Sequence, residues 1–305
     1  MAKVKKVISI DIGYGDVKVD WMDKIIKFPT AISFYTNNGI TYGDSQVYEF
    51  EGEKYLVGSE TSGSETFSTT DYKFLSKFAP LIIFHILKKF EIAGKDIPVR
   101  LNTGLALVDW DKKDEFVSRI SEFTINGETI STDVKIVPQG VGIFMNNSKK
   151  DPDLREQNVS VIDIGNNTIN LISMKKGKFQ PYLSKSYPGH GVSSIIKPFR
   201  SYLENKFKMA FSEQEASEIA SDEKFMFNGE LQTEVTDYIK DEKRKFVLKL
   251  FNSVLVDDKK VIGMSETVIL SGGGSYLLQK AKLPKNFKVD SAPMEFSNVK
   301  GYSLL

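Results

Sequence analysis

Apolar and polar positions along this chain recur with two different periods, and the switches between them outline the fold. Residues 7–12 are apolar except for Ser9 and Asp11, as in a strand buried on both faces, and Gly13-Tyr14-Gly15 reads as a turn. From residue 16 to 21 the pattern alternates strictly, with Val17, Val19 and Trp21 on one face and Asp16, Lys18 and Asp20 on the other. The two runs predict a hairpin. Short Thr-, Ser-, Tyr- and Gly-rich strand signals follow, such as 48–57 around a turn at Glu51-Gly52-Glu53, and suggest a small mixed β subdomain over about 31–72. Residues 73–93 read as a helix, with Phe74, Phe78, Leu81, Ile82, Leu87 and Phe90 at helical spacing and Gly94 as its stop. A strand over 98–107, an amphipathic helix over 110–122 and a hairpin turn at Asn126-Gly127 come next. A strand over 134–137 then runs into Gln139-Gly140-Val141-Gly142. The polar stretch 146–158, with Pro152 inside, reads as a hinge or linker.

The second half opens as the first did. Residues 159–164 predict a strand, Gly165-Asn166-Asn167 a turn and 168–173 a second strand. Helices are expected over about 192–207, 212–221 and 230–254. A short strand over 267–270 ends in Ser271-Gly272-Gly273-Gly274, with another helix after it. Strands and helices alternate throughout, so the fold class is α/β. The 305 residues allow two domains of roughly 100–200 residues each. The pattern divides them into 1–150, carrying the β subdomain, and 151–305, carrying a helical subdomain over about 195–260.

Composition narrows the chemistry. A formal net charge of +1 supplies no basic field to draw the chain onto nucleic acid or anionic membrane. The absence of cysteine excludes disulfides, thiolate metal sites and cysteine nucleophiles. With only His85 and His190, a multi-histidine metal centre is nearly impossible, and a Ser-His-Asp triad would have to use one of the two. The longest apolar run, 80–86, is far short of the roughly 20 residues a membrane span needs. No signal-peptide stretch opens the sequence, so a soluble cytoplasmic protein is expected.

Setting Asp11 over Asp163 aligns Ser9-Ile10-Asp11-Ile12-Gly13 with Val161-Ile162-Asp163-Ile164-Gly165. A repeat placed once per half suggests two similar lobes, each bringing one carboxylate and one tight turn to a shared site. Phosphate with a divalent cation suits that arrangement. Glycines let backbone N–H groups approach phosphate oxygens, Lys18 follows the first turn as a point charge, and Asp11 and Asp163 supply oxygens to a hard cation such as Mg²⁺. The bland alternative, a strand ending in an Asx-type turn, explains one such tripeptide better than two in register. The glycine loop 271–274, after a strand and before a helix, is a third nucleotide-type element. No Walker sequence GxxxxGK[ST] occurs.

Together these residues resemble the actin-like ATPase superfamily, most closely the ParM/StbA plasmid-segregation branch. Residues 11–18 resemble its first phosphate loop, 139–142 its first connecting segment, 163–168 its second phosphate loop and 270–274 its adenosine loop. Thr103-Gly104-Leu105 and the closing Phe296-Ser297-Asn298-Val299-Lys300-Gly301-Tyr302 are similar to ParM-like segments. The resemblance implies a two-lobed, duplicated ribonuclease-H-like fold with Mg-ATP between the lobes, and polymerisation into dynamic filaments. It implies that Asp11 and Asp163 hold hydrated Mg²⁺, that Lys18 meets the phosphates, and that Gly13, Tyr14 and Gly15 clasp them with Gly165, Asn166, Asn167 and Thr168. Gln139 would orient the attacking water with Asp163 assisting, and Gly272, Gly273 and Gly274 would give adenine and ribose room. Glu215 and Glu218 fall where ribose contacts are common in actin-like proteins, with a solvated helix face as the alternative. One departure stands out: the family usually has glycine at one or both of the places taken by Asn166 and Asn167, and asparagine tolerates a left-handed turn better than most residues.

His190, between two glycines, reads as a turn residue before a nucleotide contact, and His85 as a core histidine. Lys240, Lys243, Arg244, Lys245 and Lys249 are interspersed with acids on one long helix, a solvated or subunit-contact face rather than a nucleic-acid stripe. The expected partners are further copies of the chain and, for plasmid segregation, a DNA-binding adaptor, with no direct nucleic-acid or membrane contact. Rival functions are a non-polymerising PilM- or FtsA-like scaffold, a small-molecule kinase of the same superfamily, and a heat-shock-type chaperone ATPase domain.

Overall fold

The computed structural model describes residues 6–22, 24–36, 46–61, 64–67, 69, 71–92, 98–252, 254–279 and 282–305. The expected helix stop at Gly94 and part of the small β subdomain lie outside these residues. The chain divides into two compact units, Met1–Pro152 with Phe296–Leu305, and Asp153–Glu295.

In the first unit, β1 (Lys6–Ile12), β2 (Asp16–Trp21) and β3 (Lys24–Pro29) form an antiparallel meander. The small strands β4 (Ile32–Phe34), β5 (Tyr48–Phe50) and β6 (Glu53–Val57) make a separate sheet in the order β4-β6-β5. Its hairpin turns on Glu51 and Gly52, both at positive φ. Tyr48, Phe50, Tyr55 and Val57 join the same apolar cluster as the main sheet, so this sheet shares the unit's core. Helix α1 (Tyr72–Lys89) starts at an Asp71 cap, whose Oδ1 accepts from Phe74 N–H at 2.9 Å. Pro80 sits within it and has no N–H for the Ser76 carbonyl; Arg119 Nε donates there instead, at 3.4 Å.

Strand β7 (Val99–Leu105), helix α2 (Lys113–Ser121), strands β8 (Glu122–Ile125) and β9 (Glu128–Pro138), and helix α3 (Val141–Lys150) complete this part. The main sheet has the order β3-β2-β1-β7-β9-β8, with β7 parallel to both β1 and β9. Asn126 and Gly127 both take positive φ, the two-residue turn that twisted hairpins favour. The expected linker over 146–158 is shorter than its polarity suggested. Residues 146–150 continue α3, because Asn147 Nδ2 donates back to Ile143 O at 3.0 Å and Asn146 is buried.

The second unit repeats the first sheet's central pairing. Strand β10 (Asn158–Ile164) runs antiparallel to β11 (Thr168–Lys175), as β1 does to β2. Further on come β12 (Lys178–Phe179), β13 (Lys185–Pro188), helices α4 (Ser193–Phe207) and α5 (Glu213–Asp222), and the short pair β14 (Met226–Phe227) and β15 (Glu230–Leu231). The helix expected from residue 230 therefore begins later, as α6 (Thr233–Asn252). Asn228 and Gly229 at positive φ form a hairpin turn ahead of it, and that dipeptide is itself a hairpin signal. Helices α7 (Val254–Asp257) and α8 (Lys259–Gly263) lead to β16 (Thr267–Ser271), parallel to β10, and β17 (Phe287–Val289). The helix expected after the glycine loop is a 3₁₀ segment, Gly273–Leu278. Phe199, Leu203, Ile239 and Leu250 of α4 and α6 pack with Ile162, Ile164 and Leu171 of the sheet.

The last helix, α9 (Ser297–Tyr302), belongs to the first unit, not to the second as the sequence division had it. The reason is close packing on α3. A Cβ on Gly301 would lie 1.8 Å from Gly142 O, and one on Gly142 would lie 2.5 Å from Asn298 O, so only glycines let these backbones meet. Among the described residues no helix is long and apolar enough to cross a membrane.

Candidate functional site: two strand-end turns

In the first unit, Asp11 sits near the end of β1 with its side chain buried, directly across from Lys18 of β2. Burial pushes the Asp11 carboxyl up, and the Lys18 ammonium and a hydrogen bond from Gln139 pull against that. Gln139 Nε2 donates to Asp11 Oδ1 at 3.1 Å, so a residue distant in sequence joins the Asp11–Lys18 pair in one polar cluster. The turn closes with Gly13 N–H donating to Asp16 O at 3.1 Å. Lys18 Nζ donates to Asp16 O at 3.1 Å and lies 3.3 Å from where a Gly13 Cβ would stand. Gly13 is therefore what lets the ammonium lie over the turn.

All three carbonyls of this turn have donors. Thr30 Oγ1 donates to Gly13 O at 2.6 Å, Thr69 Oγ1 to Tyr14 O at 2.8 Å and Thr30 N–H to Gly15 O at 2.9 Å. In a trans peptide the next N–H points opposite to the carbonyl, so the amides of Tyr14, Gly15 and Asp16 turn away from those threonines. The Tyr14 hydroxyl donates to buried Asp109 at 3.3 Å; burial and this carboxylate raise its pKa.

The second unit builds the same turn from different parts. Asp163 of β10 is buried across from Asn170, and Gly165 N–H donates to Thr168 O at 2.9 Å. Here the carbonyls of Gly165, Asn166 and Asn167 accept from the backbone N–H groups of Val192 (3.1 Å), Ser193 (2.7 Å) and Gly191 (3.1 Å). Amides at the start of α4, which have no partner within a helix, are thereby satisfied. Gly191 is required, since a Cβ there would lie 2.3 Å from Asn166 O. The amides of Asn166, Asn167 and Thr168 turn away from α4 by the same peptide geometry. Neither Asn166 nor Asn167 takes a positive φ, so the left-handed geometry expected to favour asparagine there is not used. Thr168 Oγ1 is buried with no hydrogen-bond partner.

The glycine loop packs on this turn's strand. Gly272, at φ +86°, would place a Cβ 2.4 Å from Asp163 Oδ1, and Gly274 one 2.3 Å from Ile164 Cγ2. A Cβ on Gly273 would meet only Glu295 Cβ, at 3.8 Å.

Other predicted residues are engaged elsewhere. Glu215 Oε2 accepts from Ser212 N–H at 2.7 Å, half of a capping box at the start of α5, which lowers its pKa. Glu218 is exposed and accepts from Gln214 at 3.0 Å. His190 Nδ1 lies 3.0 Å from Pro188 O in the turn before α4. His85 is a core residue 2.9 Å from the Tyr48 hydroxyl. On α6, Lys243, Arg244 and Lys245 pair with Glu223, Asp241 and Glu242 within the unit. Sequence reasoning missed Thr30 and Thr69, which carry no motif, and the support that Gly191 to Ser193 give the second turn.

The family model for the actin-like proteins' N-terminal domain matches residues 9–142, and that for the C-terminal domain of archaeal MreB-like actin homologues matches 161–282. The chain belongs to the actin-like superfamily. This actin-like protein has the fold of Ta0583, an archaeal actin homolog (TM-score 0.79, 21% identity, 97% of this chain and 98% of that one). It is similar to a ParM in a 15-stranded filament from Clostridium botulinum (TM-score 0.77, 20%, 98% and 97%). It is similar also to Ta0583 in complex with ADP (TM-score 0.75, 20%, 97% and 97%). Among curated proteins none matches the sequence significantly.

Proposed function

We propose that this actin-like protein binds Mg-ATP through its two strand-end turns, hydrolyses it, and assembles into filaments whose stability the hydrolysis limits. The observation that carries this is the duplication itself. Each turn follows a buried aspartate, closes by one N–H to the carbonyl three residues on, and has all three carbonyls occupied on one side. Amides turned to the other side suit phosphate oxygens. The donor set fits the implied cation: Asp11 and Asp163 are hard oxygen donors, and countercharge relieves the burial that disfavours ionised Asp11. Buried Thr168 Oγ1, without a protein partner, fits an oxygen-rich ligand. Mg²⁺, when bound, would supply charge neutralisation to the phosphates.

The chain's own residues do the rest. Lys18 meets phosphate as a point charge, and exposed Gly273 leaves room for the nucleoside, while Gly272 and Gly274, expected to do the same, are taken up by packing on β10. Gln139, held by Asp11, orients a water molecule; an amide is no strong base, and positioning is how phosphoryl transfer is mostly catalysed. Glu215, committed to its cap, is the weakest member of the set, and Glu218 can approach ribose only from an exposed face. A cytoplasmic role in plasmid or other DNA segregation, through a DNA-binding adaptor, extends the reading, because a net charge of +1 provides no strong DNA affinity of its own.

Light scattering and phosphate release with Mg-ATP, Mg-ADP and no nucleotide test the proposal together. Scattering that rises with ATP and decays as phosphate appears is expected. Nucleotide binding without scattering would move the protein to the non-polymerising scaffolds, and no binding would overturn the reading. Gln139→Ala should slow phosphate release about 100-fold while changing ATP affinity less than threefold, so filaments should outlast those of the wild type. Equal loss of binding and turnover would remove the water-orienting role.

A further inference from the structure

The closing motif, residues 296–302, contributes to the turn that carries Gln139. Gly140 follows Gln139 at φ +87° and ψ −27°, the left-handed residue that swings the chain from β9 into α3. Its N–H donates to Asn298 Oδ1 of α9 at 2.8 Å, in a buried setting. Gln139 itself is held by its N–H to Leu105 O at 2.9 Å and by its side chain to Asp11. The direction in which Gln139 leaves the backbone thus depends on a peptide whose far side is fixed by Asn298.

The helix that presents Asn298 is clamped. Asn102 Nδ2 donates to Tyr302 O at 2.8 Å, and Asn146 Nδ2 to Ser297 Oγ at 2.8 Å. The glycine contacts between Gly301 and Gly142 leave no space for α9 to slide over the first turn of α3. A purely structural staple would need the clamps and the glycines. It would not need a buried side-chain acceptor aimed at the one amide next to Gln139.

We propose that Asn298 is a positioning residue, setting Gln139 for its work on the attacking water in ATP hydrolysis. The inference rests on the proposed ATPase activity. Asn298→Ala removes the acceptor and leaves the Gly140 N–H buried without one, so the turn relaxes. Misplacement of an orienting group by about 1 Å costs on the order of 100-fold. Asn298→Ala should therefore lower kcat by roughly 30- to 100-fold with KM changed less than threefold, and hydrogen exchange at Gly140 should accelerate. Asn298→Asp keeps an oxygen at the acceptor position and should recover kcat to within about fivefold. Asn146→Ala removes a clamp of α9 without touching Gly140. It should lower the melting temperature and leave kcat within twofold.

The outcomes separate cleanly. A wild type that releases no phosphate overturns the ATPase reading. A wild type that releases phosphate, with an Asn298→Ala variant turning over within twofold of it, overturns this inference alone. So does an Asn298→Asp variant as slow as the alanine one, or an Asn146→Ala variant that loses kcat equally. Where Asn298→Ala does not fold, the aspartate and Asn146 variants decide.

Discussion

Lys18 and Asn170 occupy the same place in two copies of one hairpin, each directly across from a buried aspartate. The backbones agree in turn length, in the closing hydrogen bond and in the occupation of every turn carbonyl. What differs is the chemistry hung on them. The first hairpin carries a cation beside its aspartate; the second carries an amide, whose Oδ1 accepts from Ser186 Oγ at 2.6 Å. The supports differ too. The first turn is backed mostly by threonine hydroxyls, which a point mutation can remove. The second is backed by backbone amides at the start of α4, which no side-chain truncation removes, although a side chain added at Gly191 would strike Asn166 O. Duplication has kept the backbone frame and divided the charge, and it has tied the second turn to the start of a whole helix.

The largest test of this division removes the shared element. Asp163→Ala and Asp11→Ala should each lower phosphate release by about 10³-fold, with the fold intact. Asp11→Ala should do at least as much, since it also frees Gln139. Near-normal release from either variant would take that aspartate out of the mechanism and break the symmetry of the two turns.

Stability distinguishes the units as well. His85, buried in the first unit, has its pKa lowered to about 4 by burial and by Lys89, from an ordinary 6.5. The unfolded chain therefore binds a proton that the folded one refuses. The stability present above pH 6.5 is lost as pH falls towards 4, about 3 kcal/mol in all at 1.36 kcal/mol per unit. His85→Phe should flatten that slope. Both tryptophans, Trp21 and Trp110, lie in the first unit, so their fluorescence reports it separately. At pH 4.5 the wild-type fluorescence transition in urea should precede the circular dichroism transition, and in His85→Phe the two should draw together. Identical pH slopes for the two proteins would remove His85 as the cause.

The charge difference makes the next, smaller prediction. Lys18→Met should weaken ATP binding about 30-fold, the scale of a charge-assisted contact near 2 kcal/mol. Asn170→Ala should change ATP affinity less than threefold and instead cost about 1 kcal/mol of stability through the lost Ser186 bond. Comparable losses of affinity in both variants would mean that the second hairpin carries binding energy its side chains do not suggest.

The hairpins, the repeat and the α/β alternation were legible because each rests on local periodicity. Residues 7–21 and 159–173 show the same pattern, and the aspartates stand in register within it. Long-range support was not legible. Nothing near Thr30 marks it as the partner of Gly13, and nothing near Asn298 marks it as the partner of Gly140, because both bonds join segments that tertiary packing alone brings together. The Asn228-Gly229 turn is legible as a dipeptide, but the helical pattern that starts just after it masks the hairpin. Glu215 looked like a site residue for the same reason that it is a cap: an acid in the first turn of a helix serves either purpose until the Ser212 geometry is seen.

The finest test concerns Asn166 and Asn167, where the resemblance drawn from the sequence implies glycine at one or both places. Their φ angles are not left-handed and their carbonyls are already held by α4, so a glycine pair keeps the turn's backbone bonds. What it removes is two side-chain amides. If one of them donates to the γ-phosphate, the wild type should favour ATP over ADP more strongly than the Asn166→Gly, Asn167→Gly variant, by about fivefold, or roughly 1 kcal/mol. The variant's filaments should then discriminate less between the nucleotides. The opposing effect is steric: side chains that crowd the γ-phosphate would make the glycine variant bind ATP more tightly and turn over faster. The flexibility that glycine adds to the unfolded chain lowers stability equally with either nucleotide, so it cancels in the affinity ratio. Titrating ATP and ADP against both proteins reads that ratio directly. A fall in the variant makes the asparagines γ-phosphate sensors, a rise makes them a brake on hydrolysis, and an unchanged ratio leaves them as turn formers alone.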